Sequence, residues 1–251
     1  MIWKPIRWLP SSALALAVAG LLAWVGPANA ADVDPSTLLN KADSQPWRGV
    51  GRVNVAGIKR RSMCTGTLIA PDLVLTAAHC LTHPRTGQPF PTGNVHFVAG
   101  WHKGSSTGHS KATALAIHPE WTGKPPRTLD DLATDLALIR LASPLGETSA
   151  EPFGIDRPPL PGDPLTLISY RRDRAHALTR QGDCPYKSIV GQVLELECPV
   201  TFGASGSPLF FEAAGGQKVV AVLSAMGDGG VPRAFAVRAD NVVEMLRELL
   251  P

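Results

Sequence analysis

The chain is punctuated too often for long helices. Its apolar residues fall in short runs rich in Val, Ile, Leu and Thr, at 51–55, 66–69, 74–76 and 95–99 and again at 165–170, 188–198, 209–211, 219–224 and 234–237, bounded by Gly, Pro or Asn. Runs of that length and composition are strands. Many of them in one chain call for a sheet that closes on itself or sandwiches. With 24 Gly and 23 Pro and only 18% charged residues, the composition argues against a helical bundle. Helical spacing is confined to the tail, 241–250, where Val242, Met245, Leu246, Leu249 and Leu250 share one side and Asp240 is placed to cap the start. The expected fold class is all-β with a C-terminal helix.

The first thirty residues read as a targeting segment. Lys4 and Arg7 give a positive start, an apolar run follows from about 13 to 25, and Ala28-Asn29-Ala30 presents small residues where a signal peptidase reads. The run is too short to span a bilayer. Cleavage after Ala30 is expected, with export to the periplasm or the medium and no stable membrane association afterwards. About 220 residues then remain, enough for one large all-β domain or two small barrels. Residues 31–45 are polar and aperiodic, as in a loose extension or short propeptide, and ordered structure is expected from Pro46-Trp47. Removing Lys4 and Arg7 lowers the formal charge from +3 to +1, which argues against nucleic acid or an anionic membrane as partner.

Four cysteines, Cys64, Cys80, Cys184 and Cys198, form two close pairs in sequence. An exported chain meets an oxidising compartment in which such pairs bond. Pairing 64–80 and 184–198 closes two loops of about fifteen residues, each worth about 3 kcal/mol in the chain-entropy model. The rival reading, a metal site, lacks a C-x-x-C. No metal is expected.

Three stretches carry chemistry. Val74-Leu75-Thr76-Ala77-Ala78-His79-Cys80 puts an imidazole at the end of an apolar strand, beside a cysteine that can lock the turn. His79 and His83 share the spacing of an H-E-x-x-H zinc helix, but position 80 is Cys and Pro84 breaks the helix. Thr134-Asp135-Leu136-Ala137-Leu138-Ile139-Arg140-Leu141 begins a strand with a carboxylate able to accept a hydrogen bond from His79 Nδ1 and fix the tautomer. Asp130 and Asp131 read as ordinary turn or cap residues. Phe202-Gly203-Ala204-Ser205-Gly206-Ser207-Pro208 crowds small residues around one serine. Its tight turn can aim the amides of Gly203 and Ser205 inward as an oxyanion hole.

Together these stretches resemble the trypsin/chymotrypsin superfamily of serine proteases, whose T-A-A-H-C, D-L-A-L-I-R-L and G-x-S-G-S-P motifs occur here in that family's order. The order His, Asp, Ser separates it from α/β-hydrolases and subtilisin-type proteases. The resemblance covers about 46–250. It implies two antiparallel β-barrels with the active site between them: barrel one at about 46–143, a proline-dense crossover at about 144–164, and barrel two with the helix at about 165–250. It implies a catalytic triad of His79, Asp135 and Ser205, and a disulfide between Cys64 and Cys80 behind the histidine.

Departures narrow the resemblance. Ala204 stands where the animal digestive enzymes have an aspartate that pairs with a freed amino terminus, and Gly49-Val50-Gly51-Arg52 replaces the I-V-G-G-like start. No ion-pair activation switch is expected. The pattern C-x-x-x-x-G-x-S-G-S-P, from Cys198 to Pro208, resembles the bacterial branch that includes staphylococcal glutamyl endopeptidase, although Leu223 replaces that enzyme's glutamate-binding histidine. The expected substrate pocket is walled by Pro199 and Val200 on one side and Ser224, Ala225 and Met226 on the other, with no acid at its base. Small or apolar side chains fit it best.

The resulting expectation is a monomeric, exported endopeptidase acting on protein or peptide substrates without a cofactor, its activity rising with pH around roughly 6 to 7.5 as His79 loses its proton. Two other readings use the same residues: a catalytically silent homologue serving as a binding module, and an esterase.

Overall fold

The computed structural model describes residues 36–57, 60–124, 126, 128–145, 149–227 and 232–251. The expected leader, 1–30, lies outside the described residues. Two six-stranded antiparallel barrels make up the fold, each closed so that no long edge is left to pair with another chain.

The chain enters through a two-residue strand, β1 (Thr37–Leu38), which pairs with Thr179 and Arg180 of the second barrel. The expected start of order near Pro46 is therefore too late. Leu39 is buried next to this pairing, and Asn40 and Asp43 close a polar turn behind it. A partner more than 140 residues away leaves no periodic signal in so short a segment.

Barrel one follows: β2 (Val50–Gly57), β3 (Arg60–Ala70), β4 (Leu73–Thr76), β5 (Val95–Ala99), β6 (Gly108–Ile117) and β7 (Ala137–Leu141), in the closed order β2-β3-β4-β7-β6-β5. Strand β6 is absent from the sequence expectations. It alternates as a half-buried strand should, but its buried positions are the small residues Ser110, Ala112, Ala114 and Ala116, so the period-2 signal carries little hydrophobic contrast.

Residues 142–163 contain no strand among those described and lead to barrel two. Its strands are β8 (Pro164–Ser169), β9 (Thr179–Val190), β10 (Val193–Leu196), β11 (Pro208–Ala213), β12 (Gly216–Gly227) and β13 (Arg233–Arg238), and pairing of β8 with β9 closes the ring. The apolar run 188–198, read from sequence as one strand, is the turn of a hairpin. Gly191 at φ 59° reverses the chain, so Val193 pairs with Val190.

Two short helices complete the chain. α1 (Leu129–Ala133) is held by a capping box in which Thr128 and Asp131 exchange side-chain and backbone bonds. α2 (Val243–Glu248) is the expected tail helix, with Val243 and Leu246 buried. Asp240 does not cap it. Its carboxylate is taken by Arg238 at 2.6 Å, and the N-cap position is Val242, which offers no side-chain cap.

One core fills barrel one and continues into the face between the barrels, where Tyr170, Phe210 and Val222 join Val53, Leu75 and Leu138. Trp47, Phe153 and Phe210 meet there with centroids 4.6 to 6.2 Å apart. A second core, built on Leu165, Leu194, Leu209 and Leu223, fills barrel two. A shared apolar face holds the barrels together, and the cleft between them is where polar loops from both can meet.

Candidate active site

His79 sits in a single 3-10 turn, Ala78–Cys80, directly after β4, with Ala78 and Cys80 buried on either side. The disulfide between Cys80 and Cys64 ties that turn to β3, and Cys184 bonds Cys198 in barrel two. Both bonds follow the spacing-derived pairing. Cys64, His79 and Cys80 bring three potential metal-ligand atoms close together. Their sulfurs are consumed by the disulfide, so this is a histidine braced by a cystine.

Asp135 lies just before β7 and is fully buried, whereas the His79 side chain is 30% exposed. The carboxylate takes three donors. His79 Nδ1 is 2.7 Å from Oδ2, the His79 backbone N–H donates to Oδ1 at 2.8 Å, and Ser224 Oγ donates to Oδ2. A buried carboxylate without such partners would cost several kcal/mol. Burial alone would disfavour the imidazolium of His79, but the charge of Asp135 and its hydrogen bond outweigh it, and the pKa is raised above the ordinary histidine value. The Asp135 bond also fixes the tautomer, leaving Nε2 as the free basic atom.

Ser205 lies on the loop between β10 and β11. Two glycines shape that loop. Gly203 has φ 93° and Gly206 φ 78°, and a Cβ on Gly206 would stand 2.3 Å from both Thr65 O and Thr76 Oγ1. The loop is pressed onto barrel one by Thr65 of β3: its N–H donates to Ser205 O at 2.9 Å and its hydroxyl to Gly203 O at 3.2 Å. That same hydroxyl accepts the N–H of Tyr170 at 2.9 Å. The amides of Gly203 and Ser205 have no acceptor among the described residues. Thr65 was not legible as a site residue, because nothing in a lone threonine on a strand signals a contact 138 residues away.

His79, Ser205 and Gly203 line one cavity of about 400 Å³. Ser205 Oγ makes no hydrogen bond among the described residues; in an unliganded site such contacts are commonly long and tighten with substrate. Of the expected pocket residues, Ser224 and Ala225 line this cavity. Pro199, Val200 and Met226 do not: Val200 packs against the core of barrel two, and Met226 is exposed. The rest of the wall includes Met63 of β3, Phe90, Trp121 and Phe202, none of them among the expected site residues. Gly87 and Gly123, both at positive φ, let two of these segments lock together backbone to backbone. Trp121 Nε1 donates to Thr82 Oγ1 at 3.1 Å, fixing the indole beside the histidine turn. Ala204 is buried in the barrel-two core, and Val50 lies inside β2 as a buried strand residue.

Residues 64–222 match the family model of the trypsin-like peptidase domain. Among curated proteins, rat (Rattus norvegicus) serine protease 23 is 28% identical over 173 residues, spanning 61% of this chain and 44% of that protein. Human (Homo sapiens) kallikrein-11 is 34% identical over 110 residues, spanning 44% of this chain and 34% of that protein. The chain thus spans less than half the length of these relatives. Among solved structures, a Glu endopeptidase in complex with MPD superposes with a TM-score of 0.71 at 19% identity, over 86% of this chain and 96% of that one. The thermostable serine protease AL20 from an extremophilic microorganism gives 0.62 at 19% identity, over 76% and 91%.

Proposed function

The chain belongs to the trypsin-like peptidase domain family, and from that premise we propose that it is an exported serine endopeptidase working through an acyl-enzyme on Ser205. The observation that carries this reading is the convergence, in one cleft, of a histidine bonded to a buried carboxylate, a serine on a glycine-shaped loop, and two amides without acceptors.

The chemistry follows from these positions. Ser205 Oγ attacks the carbonyl carbon of the scissile bond while His79 Nε2 takes its proton. The resulting oxyanion is received by the N–H groups of Gly203 and Ser205, each such donor typically worth about 3 kcal/mol in the transition state. Collapse breaks the C–N bond, His79 returns the proton to the leaving nitrogen, and the acyl group stays on Ser205 as an ester. Water then repeats the sequence and frees the serine. Asp135 remains ionised throughout, holding the Nδ1–H tautomer and stabilising the imidazolium. Ala204 and the buried Val50 support an enzyme that needs no ion pair with a new amino terminus. Protein and peptide substrates fit the reading, as does export to an oxidising compartment, given two disulfides.

A fluorophosphonate probe on purified protein tests it. Labelling that disappears in Ser205→Ala is the expected result. Wild-type protein that stays unlabelled, with both disulfides formed, would leave the silent-homologue reading in its place.

A further inference from the structure

We infer that the groove beyond Met63 binds a carboxylate on the leaving-group side of the scissile bond, held by Arg172 and Arg52. The inference rests on the serine-peptidase reading above and adds a substrate feature to it.

The direction of the leaving segment follows from the histidine. His79 Nε2, which must return a proton to the leaving nitrogen, is 3.8 Å from Cys80 Sγ. The leaving half of the substrate therefore passes across the Cys64–Cys80 disulfide. Beyond Cys64 the next residues of β3 are Met63 and Ser62, and both border the catalytic cavity and a second groove of about 380 Å³. Arg172 borders both as well. The second groove is completed by Arg52, Asn54 and Ala175. An extended peptide advances about 3.3–3.6 Å per residue, so its second or third leaving-side residue reaches this groove.

Both guanidiniums lack a carboxylate among the described residues. Arg172 is exposed, and the one described interaction of its guanidinium is with the face of Phe202, 5.2 Å from the ring centroid. Arg52 lies 5.4 Å over the Trp101 ring and donates only to neutral oxygens, Ala175 O at 3.3 Å and Asn54 Oδ1 at 3.4 Å. Its Nε is buried without an acceptor among the described residues. Other arginines of the molecule do face acids, as Arg140 does Asp72, Arg233 Glu195 and Arg238 Asp240. The carboxylate nearest Arg172 in sequence, Asp173, is already held by Arg171 and Arg174. Among the described residues neither cavity is lined by an Asp or Glu, and Lys124 adds a further cation to the catalytic one. A cleft lined by one sign of charge draws the opposite sign, and planar guanidinium groups favour carboxylates.

Matched quenched peptides sharing one library-selected acyl half test the assignment. They carry Asp, Ala or Lys at the second or third leaving-side position with amidated ends, and a further peptide carries Ala there with a free carboxyl terminus. The readout is the ratio of kcat/KM between the acidic and the Ala peptide within each enzyme, so a general loss of activity cancels. We expect wild type to favour the acidic peptide about 3- to 10-fold, the range of a partly exposed charge pair. Arg172→Glu should erase or invert that ratio, and Arg52→Gln should reduce it. A gain from Asp in amidated peptides identifies a side-chain carboxylate as the ligand, and a gain only from the free terminus identifies the chain end. Equal cleavage of all peptides by active wild type overturns the inference, as does a ratio unchanged in both variants. Failure of wild type to hydrolyse an activated acyl ester, which has no leaving-side peptide, instead brings down the underlying serine-peptidase reading.

Discussion

Ser224 donates its hydroxyl to Oδ2 of Asp135, the same oxygen that faces His79 Nδ1, so a residue of barrel two completes the hydrogen bonding of a carboxylate in barrel one. The bond crosses the cleft and is buried, its partners separated by 89 positions in the chain. Because the carboxylate is ionised, such a bond is worth about 1.5–3 kcal/mol. Ser224→Ala should lower stability by that order in denaturant melts. It should also move the acid limb of the pH–rate profile upward, since a carboxylate with one fewer donor holds the imidazolium more strongly. A variant with unchanged melting and an unchanged profile would show the bond to be incidental.

The pH dependence of activity has a definite sign. Asp135 raises the pKa of His79 above its ordinary 6.5 despite burial, and the proposed mechanism needs the neutral imidazole. The kcat/KM profile should therefore rise with a midpoint above 6.5, narrowing the window of roughly 6 to 7.5 expected from composition of the site alone. Asp135→Asn removes the charge and fixes the wrong tautomer. It should cut kcat by about four orders of magnitude and shift the midpoint down. In stability the same linkage runs the other way. The raised folded pKa contributes stability that is complete below the unfolded value and is lost as pH rises through the folded value. Melts of wild type and Asp135→Asn across that window read it directly.

The two disulfides close loops of similar length, with separations of 16 and 14 residues, so replacing either pair with serines should cost a similar amount, about 3 kcal/mol. Their effects on catalysis should differ. Cys80 belongs to the histidine turn and Cys64 lines the cavity, so Cys64→Ser with Cys80→Ser should lower kcat at temperatures where the protein remains folded. Cys184→Ser with Cys198→Ser, in the core of barrel two, should leave kcat close to wild type. Equal losses of kcat in both would mean that the first bond acts only through global stability.

What sequence determined and what tertiary structure decided divide by the range of the interactions involved. Strand-rich runs, the tail helix, the two cysteine pairings and the three short motifs around His79, Asp135 and Ser205 were readable because each signal is local. A strand end, a small-residue turn or a fifteen-residue loop is complete within its own stretch of chain. Strand β6 escaped notice because alanines on its buried face pack well while carrying little hydrophobic contrast, and β1 because its whole reason is a partner in β9. Much of the cavity wall was beyond reach for the same reason. Phe90, Trp121, Met63 and Phe202 come from four separate segments, and Thr65 meets the Ser205 loop only once both barrels close. Arg52 and Arg172, ordinary basic residues in the linear chain, become a pair around one groove only because β2 and the loop after β8 are brought together across the barrel interface. Local motifs were thus written in the sequence, while much of what surrounds them depends on the non-local closure of two sheets.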